Sequence, residues 1–181
     1  MKPLLTLLSQ NGTHDIPHIY RTAATEDEFS HYLRLWAQKR YAAYPILYIT
    51  THGDRQSIGF GSSDIPLDKL GTMLEGRCKG RVIHLGSCES MKGAKRDFDR
   101  FLRQTNAVAV CGYADEVDWV TSAAFEIVLF AQLQENAFQR NGLAAAKRRL
   151  TPFAKPFGTK GQSFAQRQLH APINDNYTSP F

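Results

Sequence analysis

Two side chains that can form a nucleophilic pair follow two strongly apolar segments of the chain. His52 comes directly after the run 45–51, and Cys88 follows the run 81–86. A thiol beside an imidazole can act as a nucleophile with its acid/base partner. Gly53 lets its backbone N–H approach a substrate closely, so the N–H groups of Gly53 and Cys88 would form an oxyanion hole. These residue types predict acyl transfer through a cysteine.

Other interpretations of these residues stay open. A cysteine at a strand end is commonly a small buried hydrophobe, and a single histidine is usually a packed or solvated side chain. The order Gly86-Ser87-Cys88-Glu89-Ser90 also fits a nucleophile elbow. Enzymes of that type take their histidine from after the nucleophile, and here only His170 follows. His84, inside an apolar run, is interpreted as a hydrogen-bonded core histidine.

The elements that must position the pair alternate between strands and helices. Continuous apolar and β-branched runs predict buried strands at 45–51, 81–86 and 107–112. A capping box formed by Thr25 and Glu28 predicts a helix that runs to about Arg40. Further strands are predicted at 3–8 and 18–22, a short edge hairpin at 57–60, and helices at 66–75, 91–104, 121–134 and 143–150.

This alternation is typical of an α/β fold, a three-layer sandwich with a central, mostly parallel sheet and helices on both faces. Functional groups collect at the carboxyl ends of the strands in such sheets. If the strands that precede His52 and Cys88 are neighbours, the two residues stand side by side at one edge of the sheet. From Thr151 onward the chain has no clear period, and no secondary structure is predicted there.

Composition and charge limit the class of protein. With 181 residues, 43% apolar and 22% charged, the chain has the size and composition of one soluble domain. The net charge of +5 is concentrated at the C-terminal end: residues 1–139 hold 15 basic and 16 acidic residues (−1), and residues 140–181 hold 7 basic and 1 acidic residue (+6). We therefore expect an α/β domain at 1–150 and a basic tail at 151–181, packed on the domain or extending from it.

The remaining compositional signals concern compartment and cofactors. The apolar run 3–8 is far shorter than the ~20 residues of a membrane span, so no membrane association is expected. Three cysteines are an odd number, which favours reduced thiols in the cytoplasm over a disulfide framework. His14 and His18 have the spacing of helical metal ligands, but Gly12 and Pro17 predict a loop there. No metal or cofactor is expected.

The chain resembles a known family over about residues 45–150. Tyr48-Ile49-Thr50-Thr51-His52-Gly53 and Val82-Ile83-His84-Leu85-Gly86-Ser87-Cys88-Glu89-Ser90 are similar to motifs of the caspase-like cysteine peptidases, most closely those of the bacterial CHAT branch. The intervening 57–60 and 65–70, and the later strand, acidic turn and apolar helix, resemble the same family in order and spacing. The resemblance implies a caspase-like sheet and a cysteine endopeptidase.

The resemblance also implies roles for individual residues. Cys88 would attack a peptide carbonyl and His52 would protonate the leaving amine, with no third triad member required. The S1 pocket of the family is built partly from the loop that corresponds to 112–118. Its acidic groups would suit an Arg or Lys before the scissile bond, although acids at a helix N-terminus equally serve to complement the helix dipole. The acidic residues of this loop are Asp115, Glu116 and Asp118.

Two departures from family patterns bear on substrate and partners. Gly86 and Ser87 stand where caspases specific for aspartate have Gln-Ala, which argues against that specificity. CHAT proteins often carry tetratricopeptide repeats, and this chain has no room for them, so any regulatory part is expected to be a separate protein subunit or to be absent. The expected partners are a peptide or protein substrate and such a subunit, with nucleic acid unlikely.

A function from another class stays open at this point. A catalytically idle member of the same fold would be a binding module or scaffold whose basic tail docks a partner or nucleic acid. Blocks such as Lys147-Arg148-Arg149 are more often a solvated helix face. The two functions differ in what they predict for thiol reactivity, since an active pair makes Cys88 far more reactive than Cys78 or Cys111.

Overall fold

A computed structural model describes residues 2–10, 16–60, 63–135 and 140–154. Six helices lie in this part of the chain: α1 (Lys2–Gln10), α2 (Glu26–Trp36), α3 (Leu67–Met73), α4 (Lys95–Thr105), α5 (Trp119–Gln134) and α6 (Arg140–Ala154). Six strands accompany them: β1 (Ile46–Ile49), β2 (Gly53–Asp54), β3 (Ser57–Phe60), β4 (Ser63–Pro66), β5 (Val82–Leu85) and β6 (Ala109–Gly112). A 3₁₀ turn at Lys39–Tyr41 follows α2.

The core sheet is parallel and has the strand order β1-β5-β6. Ile49 pairs with Leu85, and Leu85 pairs with Gly112. Every residue of β5 and β6 is buried, as expected for strands of a parallel sheet that is covered on both faces. The predicted α/β architecture with a parallel sheet is confirmed.

Two apolar clusters lie on opposite faces of this sheet and form the outer layers with it. Ile83 and Leu85 of β5 face a cluster that contains Phe29 of α2, Leu70 of α3 and Phe98 of α4. Val82 faces the other cluster, whose helical members come from α1, α5 and α6 and include Leu4, Phe125, Leu129 and Leu143. Successive side chains of β5 therefore point to opposite faces of the sheet, and each face is covered by helices. The fold has three layers.

The predicted strand at 3–8 was wrong, since these residues belong to α1. Leu4 and Leu8 are one helical turn apart, and both are buried in the cluster that α5 and α6 share. A short apolar run has no periodicity that separates a strand from a helix. The available partner decided the outcome, because a helix can bury one stripe of leucines against α5 without a neighbouring strand for its backbone.

The predicted strand at 18–22 was also wrong. Residues 16–24 form neither helix nor strand and pair with none of the described strands. Instead of pairing with β1, the segment lines a cavity that β1 also lines. The free edge of β1 therefore has no strand partner in the described part of the chain.

The predicted helices have different boundaries in the structure. The capping box at Thr25 is present, with both of its hydrogen bonds, but α2 ends at Trp36. α4 begins at Lys95 rather than at Met91, because the Met91 N–H donates to the carbonyl of Tyr113 (2.8 Å) and is held in a turn. α6 extends past Leu150 to Ala154, so the predicted domain boundary lies within a helix. The rest of the predicted tail, 155–181, lies outside the described residues.

A second, three-stranded antiparallel sheet follows β1 directly. It has the order β2-β3-β4, and a two-residue turn joins β2 to β3. Both turn residues have positive φ, Arg55 at 32° and Gln56 at 67°, the backbone signs of a hairpin turn whose twist matches its strands. The predicted edge hairpin at 57–60 is therefore one strand of this small sheet.

Candidate active site

The strands that precede His52 and Cys88 are neighbours in the sheet, and their last residues are paired with each other. Ile49 of β1 pairs with Leu85 of β5, and the Gly86 N–H donates to the Ile49 carbonyl (2.7 Å). His52 is three residues beyond Ile49, and Cys88 is three residues beyond Leu85. Both residues therefore leave the carboxyl edge of the sheet at the same height, in adjacent loops.

Gly53 is the point at which the two loops touch. A Cβ added at this residue would lie 2.6 Å from the Cβ of Ser87 and 2.7 Å from the carbonyl oxygen of Cys88. No side chain fits at such distances, so only glycine allows the loop after His52 to approach the loop of Cys88 this closely. The contact fixes the residue next to His52 against the backbone of Cys88.

The ladder between β2 and β3 sets the direction of the Gly53 N–H. The Gly59 N–H donates to the His52 carbonyl (2.7 Å), and Gly53 is opposite Ile58. Bonded and non-bonded pairs alternate in an antiparallel ladder, so Gly53 and Ile58 form the non-bonded pair. The Gly53 N–H consequently points away from β3, and it is not used by that ladder.

Hydrogen bonds from the Ser90 side chain and from the backbone of two neighbouring loops hold the turn that contains Cys88. The Ser90 hydroxyl donates to the carbonyls of Leu85 (3.0 Å) and Ser87 (2.8 Å). The Glu89 N–H donates to the Asp115 carbonyl (3.3 Å), and the Glu89 carbonyl accepts from the Gln56 N–H (3.2 Å). Glu89 itself has a φ of 53°, a left-handed conformation that is uncommon outside glycine and is held here by these bonds.

The three thiols differ sharply in access. Cys78 and Cys111 are buried, whereas Cys88 is partly exposed and His52 is exposed. Burial raises the pKa of the Cys78 thiol to about 12, since the thiolate would lose its hydration. The Cys88 thiol donates a weak hydrogen bond to the Val117 carbonyl (3.8 Å). Cys88 is therefore the accessible thiol, and it lies beside the predicted acidic loop.

The three acidic residues of that loop occupy different environments. The Asp118 carboxylate caps α5 by accepting from the N–H groups of Val120 (3.0 Å) and Thr121 (2.9 Å). Hydrogen bonds from Thr121 and Val120 lower the pKa of Asp118. Glu116 is exposed, and Asp115 is partly buried with one carboxylate oxygen, Oδ2, lacking a hydrogen-bond partner. Asp118 thus has a structural task, whereas Asp115 has a buried carboxylate oxygen whose hydrogen-bonding capacity is unused.

A buried polar network that the sequence analysis missed lies on the α5 side of the sheet. His84 and Glu126 are each 1% exposed, and the Nε2 atom of His84 is 3.1 Å from Glu126 Oε1. The hydroxyls of Tyr48 (2.6 Å) and Tyr113 (2.8 Å) both donate to the Glu126 carboxylate. The Nδ1 atom of His84 is 3.3 Å from the Cys111 sulfur. The network confirms that His84 is a hydrogen-bonded core histidine.

The network favours a charged pair over two neutral groups. Burial by itself would lower the pKa of His84, but Cys111 and Glu126 outweigh it and raise the pKa to about 9. Burial opposes ionisation of Glu126, yet hydrogen bonds from His84, Tyr48 and Tyr113 lower its pKa below the usual range. An imidazolium and a carboxylate therefore face each other inside the protein at neutral pH.

Two side chains of the network, Tyr48 and Glu126, pack against Gly86 at the start of the loop that contains Cys88. A Cβ on Gly86 would lie 2.6 Å from Cε2 of Tyr48 and 3.1 Å from Glu126 Oε1. One signal in the sequence points to this arrangement: Glu126 is the single charged residue of the largely apolar α5. A lone carboxylate in such a helix needs a buried partner.

Neither metal clusters nor membrane spans are found in the part of the chain that the structure describes. No group of three or more His, Cys, Asp and Glu side chains in 2–10, 16–60, 63–135 and 140–154 could hold a metal ion. No helix within these ranges combines the length and apolarity needed to cross a membrane.

Comparison with known proteins places the chain in a family. The model of DUF6642, a family of unknown function, matches residues 3–141. The chain belongs to DUF6642. No curated protein matches the chain. The match includes both strand ends, the acidic loop and Glu126, so the whole candidate site lies within the part that defines the family.

Proposed function

We propose that this member of DUF6642 is a cysteine endopeptidase of the caspase-like type, closest to the bacterial CHAT proteases, and that it cleaves after a basic residue. The observation that carries the proposal is the pairing of β1 with β5, in which the last residues of the two strands lie opposite each other. The close contact of Gly53 with Ser87 and Cys88 holds the loops that follow these strands together. This arrangement brings the only accessible thiol of the described residues to the loop beside His52.

The chemistry follows from these positions. The Cys88 thiolate attacks the carbonyl carbon of the scissile peptide bond, and the carbonyl oxygen becomes an oxyanion. Two N–H groups are available to that oxyanion: that of Gly53 points away from β3, and that of Cys88 donates to no acceptor among the described residues. Two such donors stabilise developing negative charge without reorganisation.

Collapse of the tetrahedral intermediate breaks the C–N bond. His52 donates a proton to the leaving amine, and Cys88 keeps the acyl group as a thioester. His52 then accepts a proton from water, which attacks the thioester, and breakage of the C–S bond releases the carboxylic acid and restores the Cys88 thiolate. The exposure of His52 agrees with this exchange of protons with water.

The residue before the scissile bond is assigned by charge. Asp115 supports an S1 pocket for Arg or Lys, because its backbone holds the Glu89 N–H next to the nucleophile and its Oδ2 lacks a partner. Glu116 would add negative charge from an exposed position, and Asp118 would contribute only at longer range, since it is occupied as the cap of α5.

The setting of this activity is part of the proposal. All three cysteines are free thiols, which supports a reducing compartment such as the bacterial cytoplasm. The partners would be a protein substrate and, where the activity is regulated, a separate protein subunit.

The test is intact-mass analysis after brief exposure to two peptide electrophiles that differ only in an Arg or an Asp next to the warhead. We expect one adduct, from the Arg reagent, lost in Cys88→Ala and slowed at least about 100-fold in His52→Ala. His31→Ala is the matched control, because His31 is an exposed histidine on α2 outside the site. Modification of all three thiols at similar rates would leave the proposal without its physical basis.

A second arm separates the pocket from the nucleophile. Asp115→Asn should reduce the preference for the Arg reagent about tenfold, and Glu116→Gln should change it less. If folded wild-type protein reacts with neither reagent, the peptidase proposal fails, and the binding module with a basic tail becomes the function to pursue.

A further inference from the structure

A cavity of about 650 Å³ lies along the free edge of β1. Its wall is formed mainly by β1, α2 and the segment 16–24, and Phe130 of α5 also lines it. Most of the wall is aliphatic or aromatic, and Trp36 and Tyr44 belong to it. Neither His52 nor Cys88 contributes. Size and character are those of a small-molecule site.

The side chains of this wall that can carry a charge near neutral pH are basic. Arg21 and His18 line the cavity, and no described lining residue is acidic. The Nδ1 atom of His18 is buried and has no hydrogen-bond partner. Arg21 donates to the neighbouring Tyr20 carbonyl (2.9 Å), and no carboxylate in the described ranges pairs with it. A buried nitrogen without a partner is unfavourable unless a ligand completes its hydrogen bond.

We propose that this cavity binds a small molecule with an elongated apolar body and a single carboxylate, of the chemical kind of a medium-chain fatty acid. The carboxylate accepts from His18 Nδ1–H and from the Arg21 guanidinium, while the apolar body lies against Trp36 and the edge of β1. A cationic amphiphile would meet Arg21 without an acidic partner. A phosphate would bring a second negative charge for which this wall has no further cation.

The chain provides its own optical probe for the test. It contains two tryptophans: Trp36 lines the cavity, and Trp119 is 75% exposed at the start of α5. In Trp119→Phe the remaining indole is that of Trp36. Titration with dodecanoate below its micellar concentration should change the emission in a saturable way. Dodecanol should bind about fivefold more weakly, and dodecyltrimethylammonium should not bind measurably.

Two variants in this background locate the ligand. Arg21→Ala should weaken dodecanoate about fivefold and leave dodecanol unchanged. Arg34→Ala is the matched control, since Arg34 is exposed on α2 outside the cavity wall. Ala23→Phe, which extends a half-buried wall residue, should abolish binding of both ligands.

Three results would overturn the proposal: no saturable binding of dodecanoate, equal affinity for dodecanol and dodecanoate, or dodecanoate binding that Arg21→Ala does not change. Arg21 is exposed, so its variant should fold and remains decisive even if Ala23→Phe does not. Equilibrium dialysis of dodecanoate checks the optical result. No peptidase substrate is used, so the outcome is independent of the proposed enzymatic function.

Discussion

Two groups of reactive side chains lie one above the other on the same pair of strands, and they differ in almost every physical respect. Tyr48 pairs with His84 inside the β1–β5 ladder, where Glu126 completes a buried network. Just beyond the same strands, His52 is exposed and Cys88 is partly exposed, and their loops are held mainly through backbone contacts. His84 also lies next to a thiol, that of Cys111. The comparison teaches that a histidine close to a thiol does not by itself indicate a catalytic pair. Access and unused hydrogen-bonding capacity separate the proposed catalytic site from the buried network.

Charge removal should have its largest effect on stability at the buried network. We expect Glu126→Gln to lower the free energy of unfolding by about 3 kcal/mol, because it leaves the His84 imidazolium without its counter-ion. Urea unfolding at pH 7 measures the change. Glu26→Gln is the matched surface control, since Glu26 pairs with Lys69 (2.6 Å) in solvent and should contribute less than about 1 kcal/mol. Equal effects of the two substitutions would remove the distinction between the regions.

The pH dependence of stability tests the same pair. The pKa of His84 is raised from 6.5 to about 9, so its contribution is complete below about pH 6.5 and is lost as the pH rises through 9. The pKa of Glu126 is lowered from 4.5, so its contribution is present above pH 4.5 and is lost as the pH falls. Stability should therefore decrease by roughly 2–3 kcal/mol between pH 6 and pH 9.

The control for this pH effect is the double variant His84→Leu/Glu126→Leu, in which the loss between pH 6 and pH 9 should nearly disappear. Tyr48, Tyr113 and Cys111 also face the pair, so Cys111→Ala is measured in parallel. A slope that persists in the double variant would assign the titration to other groups.

Gly53→Ala tests how tightly the accessible site is assembled. The added Cβ would lie 2.6 Å from Ser87 Cβ and 2.7 Å from the Cys88 carbonyl, so the two loops must separate. We expect a loss of about 2 kcal/mol in stability and a loss of Cys88 reactivity toward the Arg electrophile of at least about tenfold. Gly80→Ala is the comparison: Gly80 has a positive φ but nothing within 4 Å of its added Cβ, so it should affect stability alone.

Asp118→Ala should have the smallest effect, and on one property only. The substitution removes the cap of α5, which should lower the Tm by about 2–4 °C. The selectivity of Cys88 between Arg and Asp reagents should stay unchanged, in contrast to Asp115→Asn. A change in selectivity as large as that of Asp115→Asn would show that the two acids share one role.

The features that could be predicted from the sequence are those that depend on interactions between residues close together in the chain. Apolar runs identified β1, β5 and β6, and local hydrogen-bonding chemistry identified the cap at Thr25, since both depend on residues close in sequence. The neighbouring positions of β1 and β5 also followed, because successive parallel strands in α/β folds usually lie side by side. The level register of His52 and Cys88 is a consequence of that pairing.

Contacts between distant residues decided the rest. α1 is a helix because α5 and α6 offer Leu4 and Leu8 a surface to bury, and no local pattern contains that surface. The hydrogen bond between Tyr48 and Glu126 joins residues 78 positions apart, and only packing of α5 on the sheet could turn five ordinary side chains into one network. The sequence by itself determined the three strands of the parallel sheet and the reactive residues that follow two of them. The tertiary structure decided which of those residues are exposed and which are neutralised, because burial and charge pairing are properties of the packed chain.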